Sequence, residues 1–201
     1  MRYFEYGQKE IEYLKCRDKK LGVAIEQIGI IRREIIPDPF RALLSSVVSQ
    51  QISKKAAATV WGRFCVLLGS ITPGNLAQVE LSQIRRCGMS ERKAKYIQGI
   101  GAAANEGLID FARLDTLTDE EIIRQLSSLS GVGTWTVEML LIFSLCRPDV
   151  VSYKDLAIRR GMMNLYGLQE LSRGEFERYR KGYSPYGSVA SLYLWELSVT
   201  S

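Results

Sequence analysis

Apolar residues recur along this chain at intervals of three and four, with charged and polar residues between them, over most of its length. Strict alternation, the mark of a half-buried strand, is scarce. Start and stop residues agree with the helical period. The stretch "DPFRALLSSVVSQQIS" opens with Asp38 at a capping position and Pro39 at the first helical one. "KKAAATVWGRFCVLLG" reads as the next helix, stopped by Gly69. "ITPGNLAQVELSQIRRCG" starts at Thr72 and Pro73 and ends at Gly88, and "SERKAKYIQGIGAAANEG" runs from a Ser90 cap to Gly107. In "TDEEIIRQLSSL", Thr118 and Glu121 form a capping box. "TWTVEMLLIFSL" is nearly all apolar, which predicts the most buried helix of the chain. "RPDVVSYKD" reads as a loop. "LAIRRGMMNLYG", "SRGEFERYRKG" and "SPYGSVASLYLWELS" supply the last helices, and residues 8 to 33 one or two at the start. About ten helices and little else predict an all-α fold. No low-complexity linker or internal repeat divides the chain, so one compact unit over residues 1–201 is expected.

The sharpest break in this pattern is "SGVGTW". Gly131 and Gly133 flank one apolar residue, Val132, and a new helix starts directly after them. One glycine is explained by a left-handed helix end. Two glycines in a turn this short leave backbone N–H groups of the turn and of the next helix start aimed the same way. Together with the positive helix end they make an anion site. The missing side chains let a phosphate approach closely, and Val132 anchors the turn between the helices. The physical reading is a phosphate clamp indifferent to base sequence, formed by Gly131, Val132, Gly133, Thr134 and Thr136.

Composition adds limits. Apolar residues make up 46% of the 201 residues, enough for a sizeable core, and charged residues 24%. The net charge of +5 and a pI of about 9.0 are compatible with a polyanionic partner and equally with none. The cysteines, Cys16, Cys65, Cys87 and Cys146, match no zinc or iron–sulfur spacing. Cys16, Cys65 and Cys146 stand among helical apolar residues and are expected to be buried thiols. The chain opens with no secretory signal and has no apolar run of about eighteen residues, so a reducing cytoplasm is the expected setting. Histidine is absent, which leaves carboxylates, lysines, tyrosines and cysteines for any chemistry near neutral pH.

The hairpin "LSSLSGVGTWTVEMLLIFSL", followed some twenty residues on by Asp155 in "PDVVSYKDLAIRRG", resembles the helix-hairpin-helix DNA glycosylase superfamily. "VVSQQISKKAAATV", "CGMSERKAKYI" and "YSPYGSVASLYLW" are similar to its 3-methyladenine DNA glycosylase II branch, so the likeness runs from roughly residue 8 to 198. It implies two lobes with a lesion cleft between them, one from roughly residues 1–37 and 150–201, the other from 38–149 with the hairpin. Some members of the branch carry an extra domain before the helices, and this chain is expected to be a compact version.

The resemblance also implies a chemistry. Asp155 would stabilise the positive charge that builds on the sugar as the base leaves, or orient water against it. Its position also suits an N-cap for the helix that follows, and the two roles are compatible. Lys154 departs from the family pattern and reads as solvent-facing or as a phosphate contact. Members that also nick DNA carry a lysine two residues past the second hairpin glycine; here that residue is Trp135, which implies no lyase activity. Trp135, Met139, Tyr186 and Trp195 are candidates for the base pocket, with burial in the core as the alternative for Trp135, Met139 and Trp195. Gln51 matches the wedge that fills the gap left by a flipped base, with Gln50 and Ile52 as neighbours able to take that role. Ser53 and Lys54, followed by Lys55, suit phosphate contacts. The hairpin of the family often holds Na⁺ or K⁺ through backbone carbonyls, here those of Ser127, Leu129 and Val132. No cofactor is required, and neither zinc nor an iron–sulfur cluster is expected. The expected partner is duplex DNA carrying damaged bases, met by a monomer without any membrane. Alkylated purines such as 3-methyladenine and 7-methylguanine fit a site without histidine, because a cationic base leaves without a general acid. The rival readings are a glycosylase for an oxidised or deaminated base and a DNA-binding module without activity.

Overall fold

The computed structural model describes residues 1–199. Among them are twelve α-helices, one 3-10 helix and one pair of two-residue strands. No helix of the described residues is long and apolar enough to cross a membrane. The chain divides into two compact units, one of residues 1–35 and 141–201, the other of residues 36–140. The first division lies just before the Pro37–Asp38 segment that leads into the helix starting at Pro39. The second falls after Leu140, inside a helix, where no punctuating residue marks it.

In the unit built from both chain ends, β1 (Arg2–Tyr3) pairs antiparallel with β2 (Glu34–Ile35), Arg2 opposite Ile35. The sequence pattern does not reveal so short a pair. Helices α1 (Gln8–Arg17) and α2 (Lys19–Ile28) share a junction at Asp18, whose side chain accepts the Leu21 N–H at 2.9 Å. Leu14 and Leu21 are fully buried beside this junction. Helix α10 (Leu156–Tyr166) lies so close to α12 (Gly187–Leu197) that a β-carbon on Gly161 would stand 1.8 Å from the Leu194 carbonyl oxygen. Helix α11 (Arg173–Tyr183) buries Phe176 and Tyr183. The most buried helix is α12, with every residue from Gly187 to Leu194 inside, and not the apolar stretch after the glycine hairpin. Ser188 and Ser191 are fully buried within it because they serve the preceding loop. The Ser188 hydroxyl donates to the Arg147 carbonyl at 2.6 Å, and that of Ser191 to the Val150 carbonyl at 2.8 Å.

The second unit begins with α3 (Pro39–Ser49), capped by Asp38, which accepts the Arg41 N–H at 3.0 Å. α4 (Lys54–Leu68) follows with Ser53 as cap and Gly69, at φ +66°, as stop. The stretch from Thr72 to Gly88 is two helices, α5 (Pro73–Ala77) and α6 (Leu81–Arg86). The break is at Glu80, whose N–H donates to the Gln83 side chain at 3.0 Å and starts a new helix. α7 (Glu91–Asn105) is capped by Ser90 and packs on α3, α5 and α6. After the 3-10 helix (Phe111–Thr116), α8 (Asp119–Leu126) shows the Thr118–Glu121 capping box. It ends at Leu126, ahead of the serines, since the Ser128 hydroxyl bonds back to the Gln125 carbonyl at 2.7 Å. α9 (Thr134–Phe143) opens straight after Gly133. Leu43, Leu44, Val47, Val48, Phe64 and Ile97 form the centre of this unit, each fully buried.

The cysteines correct the sequence expectation. Cys16 and Cys146 are exposed, Cys65 is half-buried, and Cys87 is the buried one. Cys16 lies two residues past the buried Leu14, about 200° around the helix, on the face that carries charge. Cys146 follows the end of α9 with a left-handed φ of 52°. Cys65 is at the rim of the α4 stripe formed by Ala57, Val60, Phe64 and Leu68.

Candidate functional site

The hairpin residues sort by burial. Val132 is 6% exposed and its N–H donates to the Leu129 carbonyl at 3.1 Å, which closes the turn. Gly131 adopts φ +83°, a region that only glycine enters at little cost. A β-carbon there would stand 2.1 Å from the ring of Tyr96, so the α7 side chain occupies the space under the turn. Gly133 differs. Its backbone angle is ordinary, it is exposed, and nothing lies within 4 Å of where a β-carbon would be. The Val137 N–H donates to the Gly133 carbonyl at 3.2 Å, so α9 begins at this open glycine. N–H groups of a first helical turn lack partners within the helix and face outward along its axis. Thr134 is half-buried beside them. Thr136 is 4% exposed, so any part it takes in the clamp falls to its backbone N–H and not to its side chain. Two residues into α9, about 200° around the helix from Thr134, that position faces inward.

Thr136 instead lines a cavity of about 510 Å³ with Trp135, Met139, Gln50, Gln51, Ser45, Ser46 and Ser49. Two of the predicted pocket residues and the predicted wedge are thus brought together. Trp135 is 42% exposed, which removes the core alternative for it. Met139 is half-buried. The sequence reading missed the three serines. They fall on the less apolar face of α3, where serine looks like an ordinary surface residue. A second hollow of about 270 Å³ shares Ser45 and Ser49 and is lined also by Ile52, Lys54 and Trp61.

The turn between α3 and α4 carries Gln51 at φ 56°, exposed, a conformation uncommon for a residue other than glycine. Gln50 beside it donates from Nε2 to the Gly131 carbonyl at 3.0 Å. Ile52 is 40% exposed. The Ser53 hydroxyl accepts the Ala56 N–H at 3.2 Å as cap of α4, and Lys54 and Lys55 are exposed.

In the other unit, Asp155 is the N-cap of α10. Its Oδ1 accepts the Ala157 and Ile158 N–H groups at 2.9 and 3.0 Å, and the residue is 7% exposed. The capping role is therefore real. It fixes the orientation of the carboxylate, and a helix start favours negative charge. The loop leading to Asp155 is itself held: the Val150 N–H donates to the buried Ser188 hydroxyl at 3.0 Å, and Asp149 accepts from Gly187 N–H at 3.0 Å and from Ser184 Oγ at 2.5 Å. Of these supports only Ser188 stands as a polar residue in the otherwise apolar α12; Asp149 and Ser184 lie outside any helix. Lys154 is exposed. The Tyr186 ring meets Tyr13 edge-on at 5.1 Å, and the Trp195 ring leans on Phe143 at 5.3 Å; both residues are half-buried.

For the hairpin cation, the Leu129 carbonyl already accepts one bond, from Val132, and keeps a second lone pair. The Ser127 hydroxyl is buried with no hydrogen-bond partner. Neutral oxygens of this kind suit a hard cation. Among the described residues no three or more Cys, Asp or Glu side chains gather as a metal site.

Comparison with known proteins adds relatives. The family model for "HhH-GPD superfamily base excision DNA repair protein" matches residues 44–185. The chain is 35% identical over 166 residues to DNA-3-methyladenine glycosylase 1 of Schizosaccharomyces pombe, covering 80% of this chain and 73% of the relative. It is similar to the crystal structure of a DNA-3-methyladenine glycosidase from Bacillus halodurans, with a TM-score of 0.88, 36% identity, and 100% and 94% of the two chains covered. A 3-methyladenine DNA glycosylase of Schizosaccharomyces pombe, solved in complex with abasic DNA, is similar at a TM-score of 0.82 and 32% identity, over 94% of this chain and 96% of that one.

Proposed function

The chain belongs to the HhH-GPD superfamily of base excision DNA repair proteins, and from that premise we propose that it is a monofunctional DNA glycosylase for alkylated purines. It flips bases of the 3-methyladenine and 7-methylguanine type out of duplex DNA and hydrolyses the N-glycosidic bond. The observation that carries this reading is the hairpin. Gly131 is locked over Tyr96, while Gly133 keeps open space at the start of α9, as close approach of a backbone phosphate requires.

Each step then has a residue. The hairpin N–H groups hold phosphate and ignore sequence. Gln51 fills the gap left by the flipped nucleotide, and the exposed ring of Trp135 offers a stacking face in the cavity that both residues line. An electron-rich aromatic face favours a base that carries positive charge. Such a base departs neutral with the bonding electrons, so the site needs no acid. Asp155 stabilises the positive sugar left behind, and water completes the reaction. Trp135, where nicking relatives carry lysine, has no amine to attack the sugar, which supports a product with an intact abasic site. The carbonyls of Ser127, Leu129 and Val132 would hold a monovalent cation, which supplies charge behind the phosphate clamp and takes no part in the bond cleavage. The protein acts on DNA in the cytoplasm as a monomer and needs no further cofactor.

The test is incubation with alkylated duplex DNA and identification of the free bases by mass spectrometry. Methylated purines are expected. Release of only an oxidised or deaminated base would move the substrate class. Tight binding with no release from any lesion would reduce the protein to a DNA-binding module.

A further inference from the structure

The α3–α4 turn holds an unfavourable conformation without any interaction of its own that explains it. Gln51 stands at φ 56°, and the α3 helix has ended one residue before Gln50 with carbonyls still to be satisfied. The Val47 carbonyl accepts the Gln50 N–H at 3.4 Å, and the carbonyls of Val48 and Gln50 share one further partner. The Lys93 ammonium, in the first turn of α7, donates to the Val48 carbonyl at 2.8 Å and to the Gln50 carbonyl. Lys93 is half-buried, and that burial pushes its pKa below the usual lysine range. A cation is seldom withdrawn from water unless its bonds are good. Three residues further along α7, on the same face, Tyr96 fills the space under Gly131. Gln50 closes the circuit with its bond to the Gly131 carbonyl.

We propose that Lys93 is a positioning residue for the wedge: together with Tyr96 it makes one face of α7 the common support of the Gln50–Gln51 turn and of the glycine hairpin. The inference rests on the reading of Gln51 and the hairpin as DNA-contacting elements. Its physical content is that the two loops move as one body. A phosphate seated on the hairpin and a side chain inserted at the flipped base then keep a fixed spacing, and the wedge is already in place when DNA arrives. Lys93 itself touches neither base nor sugar.

The test uses the whole chain and the variant Lys93→Met, which keeps length and removes the donor. Hydrogen exchange in the free protein is read at residues 49–53 and 129–133. Exchange is expected to quicken in both segments by about ten- to a hundred-fold, the range for loss of a hydrogen bond from a charged donor. Lys93→Arg should restore part of the protection. Gln50→Met cuts only the link, so it should loosen the hairpin with the Lys93 bonds intact, and it decides the question if Lys93→Met does not fold. Excision gives the functional half. Single-turnover base release by Lys93→Met should fall about tenfold or more, with affinity for undamaged duplex little changed. In a Gln51→Ala background the same substitution should have no further effect, because the residue acts through the wedge. Unchanged exchange in both segments, or additive losses with Gln51→Ala, would overturn the proposal. If the parent protein released no alkylated base, the proposed function would fail instead, and the exchange measurement would still decide the brace.

Discussion

At Asp155 the cap and the proposed chemistry separate by substitution. Asparagine caps a helix about as well as aspartate, whereas alanine forfeits roughly 0.5–2 kcal/mol. Asp155→Asn should therefore unfold at nearly the parent temperature and bind DNA as well or better, yet release no base in a single turnover. Asp155→Ala should be equally inactive and melt earlier. Near-normal release by the asparagine variant would remove the catalytic assignment. The two hairpin glycines divide in a similar way. Gly131→Ala forces a left-handed φ worth roughly 1–2 kcal/mol and drives a β-carbon into the Tyr96 ring, so stability falls. Gly133→Ala meets nothing in the free protein, so its melting temperature should stay while affinity for every duplex drops alike. Equal melting of the two variants would contradict this division. What the sequence leaves unread at this scale is burial. Thr136 and Cys16 sit in patterns that fit either side of a helix, and packing turned one inward and the other out.

Helix ends were the most legible part of the chain. Asp38, Thr72, Ser90 and Thr118 cap where they were expected, because a side chain bonding an N–H three residues away needs nothing from the rest of the molecule. The β1–β2 pair depends on residues some thirty apart, and the Glu80 restart on a choice between two helical registers, so neither is written in a local pattern. The α10–α12 contact yields a prediction that reverses the usual sign. Glycine to alanine within a helix normally gains about 1 kcal/mol. At Gly161 the added carbon would fall 1.8 Å from a backbone oxygen that cannot move alone. Overpacking of roughly 1–3 kcal/mol or more prevails, and Gly161→Ala should lower the denaturant midpoint. In α9, Trp135 allows no Schiff base, so borohydride should trap no covalent adduct on lesion-containing duplex, and strand breaks should appear only after alkali. A stoichiometric adduct would end the monofunctional reading.

For the molecule as a whole, the net charge of +5 gains a meaning it lacked alone, since the exposed Lys54 and Lys55 closely follow the α3–α4 turn proposed as the wedge. Binding should weaken linearly in the logarithm of salt, with a slope of about −0.9 for each phosphate neutralised. It should show the same slope on duplexes of unrelated sequence. A strong preference for one undamaged sequence would point to readout of base edges, which a clamp of backbone N–H groups does not supply. Family and fold were legible because the "SQQIS" segment, the hairpin and the spaced aspartate follow one another in that order. The three serines of the cavity and the Lys93 brace were not, because they exist only once α3, α7 and α9 are assembled.

The cap and the proposed charge role, both falling on Asp155, narrow how this protein can change over time. Few residues start a helix well, and among asparagine, serine and threonine none brings a charge. A lineage that drifts out of catalysis can therefore keep its shape by settling on one of these. Descendants that still fold and still grip DNA, but no longer excise, should betray themselves by a neutral cap at this single position.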